Sequence, residues 1–169
     1  GDVYKRQVLG ATSDMGKSFC KESTTRGHNI VLAGRDVSNL KALHEDLEIR
    51  SSSKIYSAPF DILHTDLHSD FYANLPIKID LVVCFIGYLE ASSSCEKNYN
   101  VAKKVFDVNF SCIVSILDII ANDFEKKKDG IIGIITLILK VLFSERKLTK
   151  KEMKKENDKH KKALLDGKQ

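Results

Sequence analysis

Apolar runs and amphipathic segments alternate along most of the chain. Apolar runs of strand length predict strands, and apolar residues at helical spacing predict helices in residues 37–50 and 96–125. The helix after the first strand is bounded by a stop signal at Gly27, and a polar helical segment is stopped by Pro76. The predicted strands close at Leu9 and cover residues 29–33, 54–58, 81–85 and 131–135. The predicted helices cover residues 14–25, 37–50, 64–75 and 96–125.

The predicted strands are apolar on both faces. Residues 81–85, Leu-Val-Val-Cys-Phe, are the clearest case, because they include no charged or strongly polar side chain. Strands of this kind, separated by helices, are typical of a parallel sheet that helices cover on both sides. The pattern therefore predicts an α/β fold with about five strand–helix units.

Charge is unevenly spread over the 169 residues, of which 27 are Lys or Arg and 23 are Asp or Glu. Residues 140–169 hold 11 of the basic and 5 of the acidic residues, so the remainder holds 16 and 18. The strand–helix rhythm is also lost after Thr136. We therefore expect a basic helical or disordered tail over residues 137–169. Because acidic residues are interleaved there, no nucleic-acid partner is expected.

The cysteines and the longest apolar run bear on the cellular compartment. The four cysteines show no Cys-x-x-Cys spacing, which favours reduced thiols over a disulfide framework. The longest apolar run, residues 131–139, is shorter than the roughly 20 residues that cross a bilayer. These features lead us to expect a cytoplasmic protein with no membrane partner.

The first seven residues look foreign to the rest. Residues 2–7, Asp-Val-Tyr-Lys-Arg-Gln, resemble the translation of a sequencing-library adapter, and such segments are set aside before fold reasoning. We expect residues 1–7 to be a non-native leader and native sequence to begin near Val8. The alternative is a natural polar lead-in to the first strand.

A glycine-containing loop, Gly10-Ala-Thr-Ser-Asp-Met-Gly16, joins the first predicted strand to the first predicted helix. Glycines at such a junction let the backbone approach a phosphate, and the helix N-terminus offers free N–H groups and a positive dipole. One interpretation is a relaxed phosphate loop of an NTPase, in which Lys17 would reach the terminal phosphates and Ser18 would bind magnesium. Against it, Asp14 would place a carboxylate where an anion should bind.

A second interpretation draws on several distant segments. The Gly10–Gly16 loop resembles the Gly-xxx-Gly-x-Gly loop of short-chain dehydrogenases/reductases, with Asp14 at the middle glycine, where it would serve as a helix cap. Residues 32–36, Leu-Ala-Gly-Arg-Asp, resemble the end of that family's second strand. NAD-dependent members carry an acidic residue there, whereas this chain has Gly34 followed by Arg35, which suits the 2′-phosphate of NADP.

Three further segments extend the resemblance over residues 8–136. Asp61 matches the family's adenine-side aspartate, Gly87 keeps the last position of its Asn-Asn-Ala-Gly turn, and Asn109 matches its catalytic asparagine. The resemblance implies a Rossmann-type doubly wound sheet of order 3-2-1-4-5 and NADP as cofactor, with NAD less favoured. It implies a cofactor site formed by Gly10, Thr12, Ser13, Asp14, Met15, Gly16, Arg35, Asp61, Ile62, Ile86 and Gly87.

The family's remaining catalytic groups are missing. Leu137 stands where its serine should follow the fifth strand, and Tyr99 is the last tyrosine of the chain, so the Tyr-xxx-Lys pair has no counterpart after it. Tyr99-Asn-Val-Ala-Lys103 matches that spacing only before Asn109, where the family has no active site. We interpret residues 137–169 as the product of a frameshift or of a natural loss of the catalytic half, and we favour the frameshift.

The predicted function is thus NADP-dependent interconversion of a small-molecule carbonyl and alcohol in the parent family, with a homo-oligomer expected for the full-length parent. This chain is predicted to bind the cofactor without turnover, with Asn109 as a catalytic remnant. The alternatives are a phosphate-loop NTPase and a non-catalytic NADP-binding module.

The remaining candidate residues are given structural roles. His64 and His68 are spaced like a metal pair on a helix, but a solvated helix face is the preferred interpretation and no metal site is predicted. Cys20 and Cys112 are predicted to be core residues.

Overall fold

The computed structural model of the chain describes residues 3–135, without the side chains of residues 92 and 93. Five parallel strands form a single sheet in the order β3-β2-β1-β4-β5, which confirms the predicted order. The strands are β1 (Lys5–Leu9), β2 (Asn29–Gly34), β3 (Ile55–Pro59), β4 (Leu81–Cys84) and β5 (Ile131–Ile134).

Six α-helices connect the strands. They are α1 (Asp14–Thr25), α2 (Val37–Arg50), α3 (His68–Ala73), α4 (Ser92–Lys97), α5 (Tyr99–Phe106) and α6 (Cys112–Lys127). The observed bounds of α1 and α2 are the predicted ones. The alternation of strands and helices confirms the α/β class and its Rossmann-type topology.

Alternate residues of each strand enter two separate cores. The core on one face joins Leu9, Val31 and Val82 to Ile116 and Ile120 of α6. The core on the other face joins strand residues to α1 and α2, and includes Val8, Ile30, Leu32, Cys20, Leu40 and Leu47. Both faces of β2 and β4 are buried, and these strands are apolar at most positions, as their composition indicated, whereas Ile131 and Ile134 of β5 are exposed. The buried Cys20 and Cys112 are core residues, as predicted.

Two predicted helices are divided in the structure. The predicted helix 64–75 begins with a 3₁₀ turn, Thr65–Leu67, and only then continues as α3. The predicted helix 96–125 is interrupted at Asn98, whose backbone is extended and whose side chain accepts a hydrogen bond from the Asn100 N–H. A π-helical turn, Asp107–Ser111, then joins α5 to α6. Capping by Asn98 and the side-chain bonds of Asn109, described below, account for the two departures.

The continuous helical segment Tyr99–Lys127 is long and apolar enough, by length and composition, to cross a membrane. Its apolar stripe is buried against the sheet, with Ile113, Ile116, Ile120 and Phe124 in the core. A core helix of a folded domain passes the same test of length and composition, so this segment alone is weak evidence for a membrane span.

The first strand begins before the predicted start of native sequence. Lys5 and Arg6 pair with Asn29 and Ile30 of β2, so these residues of the predicted leader lie inside the sheet. Gln7 is fully buried, and both polar atoms of its side-chain amide lack a hydrogen-bond partner among the described residues. The division of the chain at residues 8 and 137 stays a prediction, and residues 137–169, with Leu137, lie outside the described part.

Candidate functional site

A cleft opens at the carboxyl ends of β1, β2 and β4, where the order of strands reverses. In open parallel sheets, ligands bind at this topological switch point. The cleft is lined by Gly10, Thr12, Ser13, Gly34, Arg35, Phe60, Ile62, Phe85, Ile86 and Gly87. Seven of the predicted cofactor residues therefore share one cleft: Gly10, Thr12, Ser13, Arg35, Ile62, Ile86 and Gly87.

Gly10 turns the chain from β1 into the loop. Its φ is +79°, and its N–H donates to the Ala33 carbonyl oxygen at 2.9 Å. A Cβ on Gly10 would lie 2.9 Å from the carbonyl carbon of Phe85. Both the backbone conformation and the close approach of β4 therefore require glycine at this position.

Ser13 and Gly16 close the loop onto the start of α1. The Ser13 hydroxyl donates to the Gly10 carbonyl oxygen at 2.9 Å and accepts from the Gly16 N–H at 3.1 Å. A Cβ on Gly16 would lie 2.4 Å from the Gly10 carbonyl oxygen, so the helix can pack on the loop only through glycine. The helix N-terminus is thereby held against the cleft, which is the arrangement that binds phosphate groups.

The prediction that Asp14 caps α1 is wrong. The N-cap is Ser13, whose hydroxyl accepts from the Gly16 N–H, and Asp14 is the first residue of the helix. Asp14 and Met15 are exposed and do not line the cleft, and Gly16 lies beneath the loop. The negative charge of Asp14 interacts favourably with the helix dipole, but it would repel an anion bound at the same end of the helix.

The end of β2 presents a cation and no free carboxylate. Arg35 follows the buried Gly34, is exposed, and lines the cleft. Among residues 3–135 it forms no ion pair. The next residue, Asp36, caps α2 by accepting from the Asn39 N–H at 2.9 Å, and its second oxygen accepts from the Asn39 side chain at 2.8 Å. The guanidinium of Arg35 is therefore the charged group that faces the cleft here.

The segment after β3 forms an apolar wall. Phe60 and Ile62 are both buried and line the cleft, with Asp61 between them. One carboxylate oxygen of Asp61 accepts from the Leu63 N–H at 3.1 Å, so the side chain stabilises its own turn. Asp61 itself is half-buried and outside the lining of the cleft.

The sequence analysis missed Phe60 and Phe85 as walls of the cleft. Each is the first residue after a strand, since β3 ends at Pro59 and β4 at Cys84. In a parallel sheet the residues after the strand ends surround the switch point. Their position directly after the strand ends is thus the signal that could have found them.

Asn109 holds the loop after β4. Its side-chain oxygen accepts from the Tyr88 N–H at 2.7 Å, and its side-chain NH₂ donates to the Tyr88 carbonyl oxygen at 2.7 Å. The π-helical turn Asp107–Ser111 contains this asparagine. The amide therefore positions Tyr88, which directly follows Gly87 of the cleft.

Tyr88 is a further residue at this end that the sequence analysis did not single out. Its hydroxyl donates to the carboxylate of Glu90, and the ammonium of Lys104 lies 4.7 Å from its ring centroid. The hydrogen bond to Glu90 raises the pKa of Tyr88, and the positive charge of Arg35 opposes that rise. The phenol is therefore held in its neutral form at physiological pH.

The Tyr99–Lys103 pair lies outside this cleft. Tyr99 is 76% exposed at the start of α5, and the ammonium of Lys103 binds the carboxylate of Asp107. The structure brings neither side chain to the lining of the cleft. Their spacing follows from the helical repeat alone.

The geometry at the start of α1 disfavours the phosphate-loop NTPase. The Ser18 hydroxyl, which would bind magnesium, donates instead to the carbonyl oxygen of Asp14 at 2.9 Å. Ala11, which replaces the first glycine of that motif, is fully buried. Within residues 3–135 there is no group of three His, Cys, Asp or Glu side chains that could hold a metal ion.

The interpretation of the histidine pair as a solvated helix face is wrong for His68. His64 is exposed, but His68 is fully buried, and both its ring nitrogens form hydrogen bonds. The 3₁₀ turn between the two residues directs the second one into the core.

Burial raises the pKa of the Cys20 thiol to about 12, which leaves this cysteine protonated and unreactive.

Comparison with protein families identifies a match that covers most of the chain. The sequence matches the family described as short chain dehydrogenase over residues 7–138. A search of curated protein sequences finds no match. The family match therefore covers the whole sheet except its first two residues, and it includes the loop from Gly10 to Gly16.

Solved structures show the same fold. Serine dehydrogenase from Escherichia coli superposes with a TM-score of 0.69 at 20% identity, over 77% of this chain and 60% of that one. A short-chain dehydrogenase from Sphingobium yanoikuyae in complex with NADPH gives a TM-score of 0.70 at 18% identity, over 78% and 52%. A 3-oxoacyl-[acyl-carrier protein] reductase from Brucella melitensis with bound NAD gives 0.70 at 14%, again over 78% and 52%.

The chain is shorter than the three solved structures. The chain spans 52% to 60% of the length of the three solved structures, although they cover more than three quarters of it. At identities of 14% to 20% the similarity shows the fold alone. The cleft lies in the shared part, at the carboxyl ends of β1, β2 and β4.

Proposed function

Because the chain belongs to the short-chain dehydrogenase family, we propose that it binds NADP(H) in the cleft at the carboxyl ends of β1, β2 and β4, in preference to NAD(H). The pyrophosphate would lie against Gly10 and the first turn of α1. In that turn Gly16 packs so closely on the loop that no side chain fits at its position. The adenine would lie against the wall of Phe60 and Ile62, and the nicotinamide end would lie towards Ile86 and Gly87.

The observation that carries the preference for NADP(H) is the pair Gly34 and Arg35. A carboxylate at the end of β2 would accept the ribose 2′-hydroxyl of NAD and repel a 2′-phosphate. Here the position is glycine, the following guanidinium lines the cleft, and the nearest carboxylate, Asp36, is committed to Asn39. A guanidinium beside a phosphate supplies two parallel charge-assisted hydrogen bonds.

The cofactor would fit this cleft for two reasons: two residues of the loop are glycines, and the side chains that line the cleft are of suitable kinds. Gly10 and Gly16 let the loop pack closely on the end of β4 and on α1, because a Cβ at these positions would lie 2.9 Å and 2.4 Å from backbone atoms. The cleft combines this loop, two aromatic side chains, Phe60 and Phe85, and one free cation among the described residues. Bound there, a reduced nicotinamide supplies a hydride to an electrophilic carbonyl carbon.

We further propose that the 169 residues bind the cofactor without turning over a carbonyl substrate. Hydride transfer to a ketone needs a proton donor, and general acid catalysis typically contributes about 10²–10⁴-fold. The chain has no tyrosine after Tyr99, and the phenol of Tyr88 is bound to Glu90. Asn109 has both polar side-chain atoms engaged with Tyr88, so its role here is to position the loop.

Other parts of the proposal concern the parent protein and its surroundings. A small-molecule carbonyl or alcohol is the proposed substrate class of the complete family member, which would form a homo-oligomer. We also propose a cytoplasmic location, without nucleic-acid or membrane partners. A non-catalytic NADP-binding module is the second candidate function, and the bond of the Ser18 hydroxyl to the Asp14 carbonyl oxygen favours it over an NTPase.

The test is titration of the purified chain with NADPH and with NADH, followed by nucleotide fluorescence. Tighter binding of NADPH is expected, and Arg35→Ala should weaken it by about 1–3 kcal/mol, typical of a charge-assisted hydrogen bond, while NADH binding stays unchanged. Lys41→Ala, which removes an exposed cation of α2 that does not line this cleft, is the matched control. Equal affinity for both nucleotides in the unmutated chain would contradict the preference for NADPH.

A turnover assay with a panel of ketones separates binding from catalysis. NADPH oxidation above background is not expected for the chain as given. Steady turnover that Tyr99→Phe or Tyr88→Phe abolishes would overturn the proposed absence of a proton donor. Magnesium-dependent binding of ATP in place of NADPH would instead support the NTPase.

A further inference from the structure

His68 lies directly behind the wall of the cleft and is not part of its lining. It is the first residue of α3 and is 0% exposed. Its Nε2 lies 3.0 Å from the Ile62 carbonyl oxygen, and its Nδ1 lies 3.1 Å from the Ser115 hydroxyl oxygen. Because a carbonyl oxygen can only accept, Nε2 carries the proton and donates to Ile62, and Nδ1 accepts from Ser115.

The same imidazole packs on the second wall residue. Its ring centroid lies 5.3 Å from that of Phe60, with an angle of 40° between the rings. Phe71 of α3 packs on Phe60 as well, at 4.3 Å between centroids. One side chain therefore contacts Phe60 through its ring and Ile62 through a hydrogen bond, and these two residues flank Asp61.

The backbone of residues 60–63 forms few other hydrogen bonds outside its own segment. The Phe60 N–H donates to the Gly34 carbonyl oxygen at 2.9 Å, which holds the start of the segment to β2. The bonds of Asp61 to Leu63 and to His64 are local to the turn. His68 links the turn to α6 through Ser115, which is 47 residues away in sequence. Without the imidazole, the buried carbonyl of Ile62 would lose its hydrogen-bond partner, and beyond the bond at Phe60 the turn would be held to the rest of the fold by apolar packing.

We propose that His68 is a positioning residue for the adenine end of the cleft: it fixes Phe60 and Ile62 in the conformation that the nucleotide requires, without touching the nucleotide. This inference rests on the proposed function, because it assumes that a dinucleotide occupies the cleft. It assigns a ligand-affinity role to a buried histidine that would otherwise be only a core residue.

The test compares two ligands in His68→Leu, which keeps an apolar side chain behind Phe60 and removes both hydrogen bonds. The ligands are NADPH and adenosine 2′,5′-bisphosphate, which is the adenine half of NADPH. The dissociation constants of both should rise by the same factor, about tenfold, which corresponds to roughly one net hydrogen bond. An equal factor is expected because only the adenine end is disturbed; a larger factor for NADPH than for the bisphosphate would overturn the proposal.

Two variants separate positioning from general destabilisation. Tyr72→Phe removes the hydrogen bond of 2.7 Å between α3 and Asp123 of α6, on a part of the helix that does not line this cleft. It should lower the melting temperature and leave both dissociation constants unchanged. His68→Gln keeps an amide that can donate to the Ile62 carbonyl oxygen, and it should restore most of the affinity. Weakened binding in Tyr72→Phe, or no rescue by His68→Gln, counts against the proposal.

Amide hydrogen exchange of the nucleotide-free chain gives a readout that needs no ligand. His68→Leu should speed exchange in residues 60–63 more than in β1 or β2, and Ser115→Ala should do so to a smaller extent. If the unmutated chain binds neither ligand, the proposed function fails, while the exchange experiment still decides whether His68 holds the wall. If the unmutated chain binds both ligands and His68→Leu changes neither affinity nor exchange, the positioning role alone is overturned.

Discussion

The side-chain amide of Asn109 closes a pair of 2.7 Å hydrogen bonds on the backbone N–H and C=O of Tyr88, 21 residues earlier in the chain. The contact joins the π-helical turn between α5 and α6 to the loop that follows β4. Because Gly87 of the cleft immediately precedes Tyr88, this contact helps to hold the end of the cleft formed by Ile86 and Gly87.

Asn109→Ala is expected to destabilise the fold by about 1–3 kcal/mol, because it leaves two half-buried backbone groups without partners. It should also weaken NADPH binding, since the loop that carries Ile86 and Gly87 loses its anchor. Urea unfolding and fluorescence titration measure the two effects. Asn98→Ala, which removes the cap of α5 at a cost of about 1 kcal/mol, is the control and should leave NADPH binding unchanged. Unchanged affinity in Asn109→Ala would show that the loop is held by other contacts.

Gly16→Ala is expected to abolish nucleotide binding. The new Cβ would lie 2.4 Å from the Gly10 carbonyl oxygen, and because that atom belongs to the backbone the loop itself must move. Gly27→Ala is the matched control at the other end of α1, where φ is +80° and no atom lies within 4 Å of the new Cβ. Backbone strain should destabilise that variant by about 1 kcal/mol without changing NADPH affinity. Intact binding by Gly16→Ala would exclude the loop as the phosphate site.

Gln7→Leu is expected to stabilise the protein by about 1–3 kcal/mol. Gln7 lies on β1, which pairs with β2 and β4; the residue is fully buried, and neither polar atom of its amide has a partner among the described residues. Leucine has a similar size and removes the cost of burying those atoms. Chemical denaturation of the two proteins gives the difference. Gln7→Ala also removes the amide but opens a cavity, so it should gain less than Gln7→Leu; a less stable Gln7→Leu would indicate an undetected partner for the amide.

The sequence predicted the parts of the fold that depend on local pattern. The bounds of α2 follow from Asp36, which caps the helix, and from Leu40, Leu43 and Leu47, which form its buried face. The parallel sheet follows from strands that are apolar on both faces. The loop between Gly10 and Gly16 was placed correctly because both glycines are required by contacts close in sequence or at the ends of adjoining strands.

The features that escaped prediction depend on contacts distant in sequence. The role of Asn109 is set by Tyr88, and the burial of His68 is set by Ser115, at separations of 21 and 47 residues. Neither contact leaves a periodic signal in the sequence. The assignment of the cap to Asp14 failed for a different reason, since Ser13 and Asp14 are both good caps and the geometry of the loop decides between them.

The stability of the protein is expected to fall as the pH drops below about 6.5. Burial lowers the pKa of His68 in the folded protein, and the hydrogen bond to the Ile62 carbonyl and the charge of Asp66 act in the opposite direction, whereas the unfolded chain titrates near the usual value of about 6.5. Between the two values the unfolded state binds the additional proton, so the contribution of the neutral imidazole is complete above pH 6.5 and is lost as the pH falls through the folded value. His28, whose pKa is also lowered, contributes in the same direction, while Asp46 and Asp123, with lowered carboxyl pKa values, act only at more acidic pH.

Urea unfolding between pH 5 and pH 8 measures this dependence. His68→Gln cannot be protonated in this range, so its free energy of unfolding should change less between pH 6.5 and pH 5 than that of the unmutated chain. His64→Gln, a substitution on the exposed neighbour, should keep the slope of the unmutated chain. Equal slopes in the unmutated chain and in His68→Gln would mean that the buried imidazole accepts a proton without cost, which its complete burial makes unfavourable.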